Sequence, residues 1–143
     1  MTHAEIDALH AGRELDALVA ERVMGYTTSK MDGLPETDRY ILWERVPLSD
    51  VGGIDRPLSH YSTSIADAWE VLEKIKAISL EAFTGLDFPD ECFVVAWDRS
   101  SKNWVAGFHS IEGYEAGWVS DCRSVADTAP LAICRAAIKA VMA

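Results

Sequence analysis

The chain has 143 residues, a usual size for one domain that buries a core without disulfides or a metal. Its 23 acidic and 13 basic side chains give a net charge of −10, which disfavours binding to duplex nucleic acid or to an anionic membrane surface. Hydrophobic residues make up 49% of the chain, but no apolar run approaches the ~18 residues that span a bilayer. We therefore expect a single globular domain, residues 1–143.

The amino-terminal part predicts one turn and one helix. Thr2 is placed to cap a short turn within residues 1–11. Apolar residues spaced by three and four then predict a helix that begins at Gly12 or Arg13 and ends at Met24. Gly25 is a typical residue just beyond a helix end.

The middle of the chain predicts a turn region, a strand and a long loop. Residues 27–38 are polar and turn-forming, whereas residues 39–46 are aromatic and β-branched enough for a strand. Residues 48–60 contain Gly52, Gly53 and Pro57, which predicts a surface loop.

The second half predicts two helices separated by strands. Ser64 and Asp67 are spaced as a capping pair for a helix that runs to about residue 81, and one face of this helix is lined by Ile65, Ala68, Trp69, Leu72 and Ile75. The last helix is capped by Thr128 or Asp127 and runs to about residue 141, and its buried stripe consists of Leu131, Cys134, Ala137, Ile138 and Val141. Three strands are predicted between these helices, at residues 91–97, 103–109 and 116–119, the first two forming a hairpin.

This order of elements predicts an α+β fold with a mainly antiparallel sheet, covered by helices on one face or on both. Trp69, Trp97 and Trp104 fit core positions. Cys134 lies on the apolar face of the last helix, and the next residue, Arg135, points about 100° away from it, which favours the surface for Arg135.

The sequence contains no pattern that indicates catalysis or a metal. Four histidines are scattered without ligand spacing, and no glycine-rich nucleotide fingerprint or serine elbow is present. Three cysteines without Cys-x-x-Cys spacing indicate reduced, partly buried thiols. The amino-terminal residues lack a basic and apolar signal sequence, so we expect a cytoplasmic protein. Because no cofactor-binding motif is found, we also expect no cofactor.

The polar run Tyr61-Ser62-Thr63-Ser64 is the candidate binding site, because a helix amino terminus presents free N–H groups and the positive end of its dipole. The alternative is ordinary capping of the helix together with packing of Tyr61. Three further residues complete the candidate ligand site, by charge or by stacking: Arg13, Arg135 and Trp43.

Three segments, residues 12–25, 61–75 and 127–141, together resemble the phage ABA sandwich domain family. The chain departs from the pattern at Tyr26, where Trp is expected, and at Ser59-His60, where Pro is common. The resemblance implies an α-β-α sandwich. It implies no particular activity, cofactor or catalytic residue.

Two functional hypotheses follow. The first is a non-enzymatic phage accessory protein, a homo-oligomer in the host cytosol, that sequesters a small anionic ligand as a sponge, for example a nucleotide signal of host antiphage defence. The alternative is an acidic interaction module that docks on a basic host or phage protein. An enzyme ranks third, since a hydrolase needs a metal or a poised acid and base.

Overall fold

The computed structural model describes residues 1–30, 42–48, 52–77, 91–110, 117–118 and 122–142. Within these ranges the helices are α1 (His3–Ala8), α2 (Arg13–Val19), α3 (Ile65–Ala77) and α4 (Ala129–Met142), and a π-helical turn (Ala20–Met24) continues α2. The strands are β1 (Thr27–Lys30), β2 (Leu42–Val46), β3 (Ile54–Pro57), β4 (Glu91–Asp98), β5 (Asn103–Ser110), β6 (Gly117–Trp118) and β7 (Ser124–Ala126).

The two predicted elements at the amino terminus are confirmed. Thr2 caps α1 through a capping box, in which its hydroxyl accepts from the backbone N–H of Glu5 and the Glu5 carboxylate accepts from that of Thr2. The helix predicted to end at Met24 does so, and Gly25 follows it in the left-handed conformation with φ 74°. The sequence did not indicate the π-helical last turn, in which the Gly25 N–H donates to the carbonyl of Ala20.

The first sheet has the order β1-β2-β3, and both pairings are antiparallel. The predicted strand is confirmed over residues 42–46, while residues 39–41 lie outside the described residues. Two predictions are wrong: residues 27–30 of the turn region form β1, and residues 54–57 of the long loop form β3. Both are four-residue edge strands stabilised by pairing with β2, a tertiary contact that local composition does not encode. Residues 31–38 and 49–51 also lie outside the described residues.

The second sheet is built on the predicted hairpin of β4 and β5, which pair along eight residues. Both β6 and β7 pair antiparallel with β5. Because β4 takes one edge of β5 along its whole length, β6 and β7 share the other edge end to end. The short β6 lies inside the predicted strand 116–119, of which residues 116 and 119 are outside the described residues. The three-residue β7 was not predicted, since it is too short to show a periodicity.

The core lies around α4, a helix whose position was predicted correctly. Every residue from Ala129 to Ala140 is buried, so this helix is covered on all sides. Cys134 is fully buried as predicted, and burial, followed by the negative charge of Asp16, raises the pKa of its thiol. Cys122 is buried as well. Arg135, for which the surface was favoured, is only 9% exposed.

Two tryptophans that fitted core positions are exposed. In α3 the buried stripe consists of Ala68, Val71, Leu72 and Ile75. Ile65 and Trp69, which were predicted on the same face, are each 55% exposed; Trp69 lies about 100° around the helix from Ala68. Trp97 is 48% exposed at the end of β4, in edge-to-face contact with the partly buried Trp104. The predicted continuation of α3 over residues 78–81 lies outside the described residues. The predicted α+β class is confirmed, with two antiparallel sheets instead of one.

Candidate functional site

The start of α2 and the turn before α3 meet at Asp16, which is fully buried. Its Oδ1 accepts hydrogen bonds from the backbone N–H and the hydroxyl of Ser62, both at 2.7 Å. Arg13 donates to Oδ2 at 3.2 Å and also to the carbonyl of Leu58 at 2.7 Å and that of Ser59 at 3.1 Å. These bonds anchor the turn to α2. We call Arg13, Asp16 and Ser62 the Asp16 cluster.

A second buried carboxylate, Glu44, lies on β2 opposite Arg56 of β3. Arg56 donates to it at 2.6 Å, Ser59 at 3.0 Å and the Tyr61 hydroxyl at 2.9 Å. The pKa of Tyr61 is raised, first because burial disfavours the phenolate and then because the hydroxyl donates to Glu44. A buried carboxylate requires hydrogen-bond partners of this kind. We call Glu44, Arg56, Ser59 and Tyr61 the Glu44 cluster; it joins the first sheet to the turn before α3.

A cleft of about 450 Å³ opens between that turn, the segment after α1 and the start of α4. We call it the Arg135 cleft; the described residues that line it are His10, Ala11, Ser62, Thr63, Ala126, Asp127, Thr128, Leu131 and Arg135.

Among the described residues, only backbone carbonyls bind the Arg135 guanidinium. Its Nε and Nη2 donate to the carbonyl of Leu9 at 3.0 and 2.5 Å, and Nη1 donates to that of Val125 at 3.3 Å. No carboxylate oxygen of the described residues lies within 4.0 Å of it. Arg135 is therefore a buried cation on a cleft wall whose charge is not neutralised by a contacting acid in the described parts of the chain.

A different cleft, of about 500 Å³, lies on the face of the first sheet opposite Glu44. The described residues lining this Trp43 cleft are Thr27, Thr28, Ser29, Trp43, Arg45 and Asp55. The Nη1 atom of Arg45 lies 3.7 Å from Oδ1 of Asp55. The indole N–H of Trp43 is buried and has no acceptor among the described residues.

The structure thus distributes the predicted site residues over several places. Ser62, Thr63 and Arg135 line one cleft, although Ser62 also belongs to the Asp16 cluster. Trp43 lies in the other cleft, which shares no described residue with the first. Internal contacts engage the remaining three: Arg13 in the Asp16 cluster, Tyr61 in the Glu44 cluster, and Ser64, whose hydroxyl caps α3 by accepting from the N–H of Asp67 at 3.3 Å.

Sequence reasoning missed the two buried carboxylates and part of the cleft. Glu44 had a signal, as a lone acid inside an aromatic and β-branched strand, where an inward-facing carboxylate needs a partner. Asp16 looked like any acid in the first turn of a helix. Asp127 and Thr128 were recognised only as helix caps, because their proximity to Arg135 and Thr63 arises from packing.

Neither a metal site nor a membrane-spanning helix is found among the described residues. No group of three or more His, Cys, Asp or Glu side chains there is arranged to hold a metal ion. None of the helices formed by those residues is long and apolar enough to cross a membrane.

Comparison with known proteins adds the family. The model of the phage ABA sandwich domain matches residues 17–138, which is most of the chain. Among solved structures, the chain is similar to a phage protein from Bacillus cereus ATCC 14579, with 22% identity, 93% of each chain covered and a TM-score of 0.47. No curated protein matches the chain. The family match confirms the α-β-α sandwich, and this chain belongs to the phage ABA sandwich domain family.

Proposed function

We propose that this phage-family protein binds and sequesters a small anionic ligand, without transforming it, in the Arg135 cleft. The proposed ligand class is a nucleotide, such as a signal of host antiphage defence. The observation that carries the proposal is the buried Arg135 guanidinium, which is held by carbonyls and contacts no described carboxylate.

Arg135 retains donors for a ligand. A guanidinium carries five N–H groups, and the three hydrogen bonds to Leu9 and Val125 leave one N–H on each terminal nitrogen. Two such donors match a phosphate or carboxylate group. The hydroxyls of Thr63 and Thr128 on the cleft wall add donors of the same kind.

The rest of the lining favours a nucleotide over inorganic phosphate. Asp127 lies in the cleft wall, and its carboxylate opposes a bare anion but accepts from the hydroxyl or amino groups of a ribose or base. His10 offers a flat ring for stacking. The volume, about 450 Å³, lies in the range of about 300–1,000 Å³ typical of small-molecule sites.

Calorimetry with a panel of linear and cyclic mono- and dinucleotides tests the proposal, with adenosine and inorganic phosphate as controls. We expect heat from at least one nucleotide and little from adenosine, which lacks the charge. Thr63→Ala removes an exposed hydroxyl of the Arg135 cleft and should weaken binding about fivefold, equivalent to about 1 kcal/mol. Thr27→Ala, the same substitution in the Trp43 cleft, should leave the affinity unchanged.

Absence of binding by the whole panel would refute the proposal, and equal losses in the two threonine variants would refute the assignment to the Arg135 cleft. Native mass spectrometry of protein purified from infected cells adds a check that does not require the ligand to be known beforehand. Sequestration predicts that the protein retains a molecule with the mass of a nucleotide. Recovery of the nucleotide unchanged after prolonged incubation tests the proposed lack of turnover.

The second candidate function is the acidic interaction module. It is favoured by the net charge of −10 together with exposed Ile65 and Trp69 on α3, since aromatic residues are enriched at protein interfaces. A basic host or phage protein is the proposed partner. Its affinity should fall with added salt, and an affinity independent of salt would argue against this form of the module.

A further inference from the structure

Strand β4 has one edge without a strand partner in the described parts of the chain. It pairs with β5 from Glu91 to Asp98, and no other described strand pairs with it. Alternate residues of a strand direct their N–H and C=O groups to the same side, so an eight-residue edge presents about four residues with unpaired groups. Its sequence, Glu-Cys-Phe-Val-Val-Ala-Trp-Asp, contains neither the lysine nor the proline that usually protects such an edge.

The exposure of the side chains agrees with an edge position. Phe93, Val94, Val95 and Ala96 are only half-buried, whereas the residues opposite them on β5, from Val105 to Phe108, are buried. Trp97, at the end of the same strand, is 48% exposed. A partner at this edge would cover both the backbone groups and the flanks of these apolar side chains.

We infer that β4 is the interface of a homodimer, in which the β4 strands of two copies pair antiparallel and extend the second sheet across a two-fold axis. This inference concerns assembly and does not depend on the proposed ligand.

The β4 sequence is compatible with pairing to a second copy of itself across a two-fold axis. In a two-fold antiparallel pair, residues opposite each other point to the same face, so an odd-numbered residue meets an odd-numbered one. Glu91 and Asp98, the acidic residues at the two ends, therefore never lie directly opposite each other. An axis at Val95 places Phe93 opposite the partner's Trp97, an aromatic pair that covers the exposed indole.

Charge gives the dimer a distinct signature. Each copy carries a net charge of −10, so the two copies repel each other through the solvent, and salt screens that repulsion. Salt does not screen the backbone hydrogen bonds and apolar contacts that hold the two copies together. Dimerisation should therefore strengthen as salt rises, opposite to the behaviour expected for docking on a basic partner.

Sedimentation velocity of the whole chain tests the inference with two matched tryptophan variants. The wild type should sediment as a dimer. Trp97→Glu places a charge at the interface and should weaken the dimer at least tenfold, while Trp69→Glu, at a tryptophan of similar exposure on α3, should not. A monomeric wild type at several hundred micromolar, or a dimer that Trp97→Glu leaves intact, would overturn the inference.

Two single-cysteine substitutions in β4 test the register of the β4–β4 pairing, and this test does not depend on how well Trp97→Glu folds. In a Cys92→Ser background, Val95→Cys should form a covalent dimer under mild oxidation, because opposite Cβ atoms in an antiparallel pair lie ~4.5–5.5 Å apart. Val94→Cys lies opposite the partner's Ala96 and should cross-link much more slowly. Equal cross-linking of the two variants, or of neither, counts against the axis at Val95.

Discussion

Replacement of Asp16 by alanine should destabilise the protein by about 3 kcal/mol. The carboxylate is fully buried and accepts three hydrogen bonds. Its removal leaves the buried N–H of Ser62 without an acceptor, at a cost of about 1–3 kcal/mol. The losses of the other two donors are partly offset: the Ser62 hydroxyl also lies 3.4 Å from the carbonyl of Gly12, and Arg13 keeps two backbone carbonyls.

Urea unfolding followed by circular dichroism measures this loss. Asp16→Asn keeps an oxygen for the Ser62 N–H and should cost only about 1–2 kcal/mol. Glu14→Ala removes an exposed acid from the same helical turn and should cost less than about 1 kcal/mol. If Asp16→Ala were no more destabilising than Glu14→Ala, the Asp16 cluster would not hold the turn before α3, and Ser62 would be available to a ligand.

Three further predictions concern the second sheet and the core. Gly107→Ala should cost about 1–3 kcal/mol in thermal denaturation, because a Cβ there would lie 3.0 Å from the backbone that precedes β7; an unchanged melting temperature would contradict that packing. NMR titration should give Asp98 a pKa of about 2, below the ordinary 3.8, because Ser100 donates hydrogen bonds to its carboxylate. Ser100→Ala should raise this pKa. Since this pKa is lowered by folding, the stabilisation it brings is complete above about pH 4 and disappears as the pH falls through about 2. Cys134 should resist alkylation in the native protein at pH 8 and react after unfolding; rapid labelling of Cys134 in the native protein would show that α4 is not fully covered.

Several helices and strands could be predicted because their signals are local. Signals within a few positions along the chain are enough for the apolar stripe of α4, for Gly25 after the π-helical turn and for the hairpin between β4 and β5. The family resemblance rests on such segments, and the match over residues 17–138 confirms it. The short edge strands β1 and β3 could not be predicted, because their stability comes from pairing with β2 across the sheet.

The candidate site shows the same division. Local sequence singled out Tyr61 and Ser62 correctly as polar residues before a helix, but it could not reveal that buried carboxylates hold both of them. It also placed Arg135 on the helix without indicating that the backbone carbonyls of Leu9 and Val125 bind its guanidinium.

The sequence by itself determined the α+β class, most element positions and the acidic charge, since spacing and composition act over short distances or over the whole chain. Only the tertiary structure decided which groups are engaged and which line a cleft. Burial and hydrogen-bond partners depend on contacts between segments as far apart as Leu9 and Arg135, and such contacts form only when the whole chain has packed.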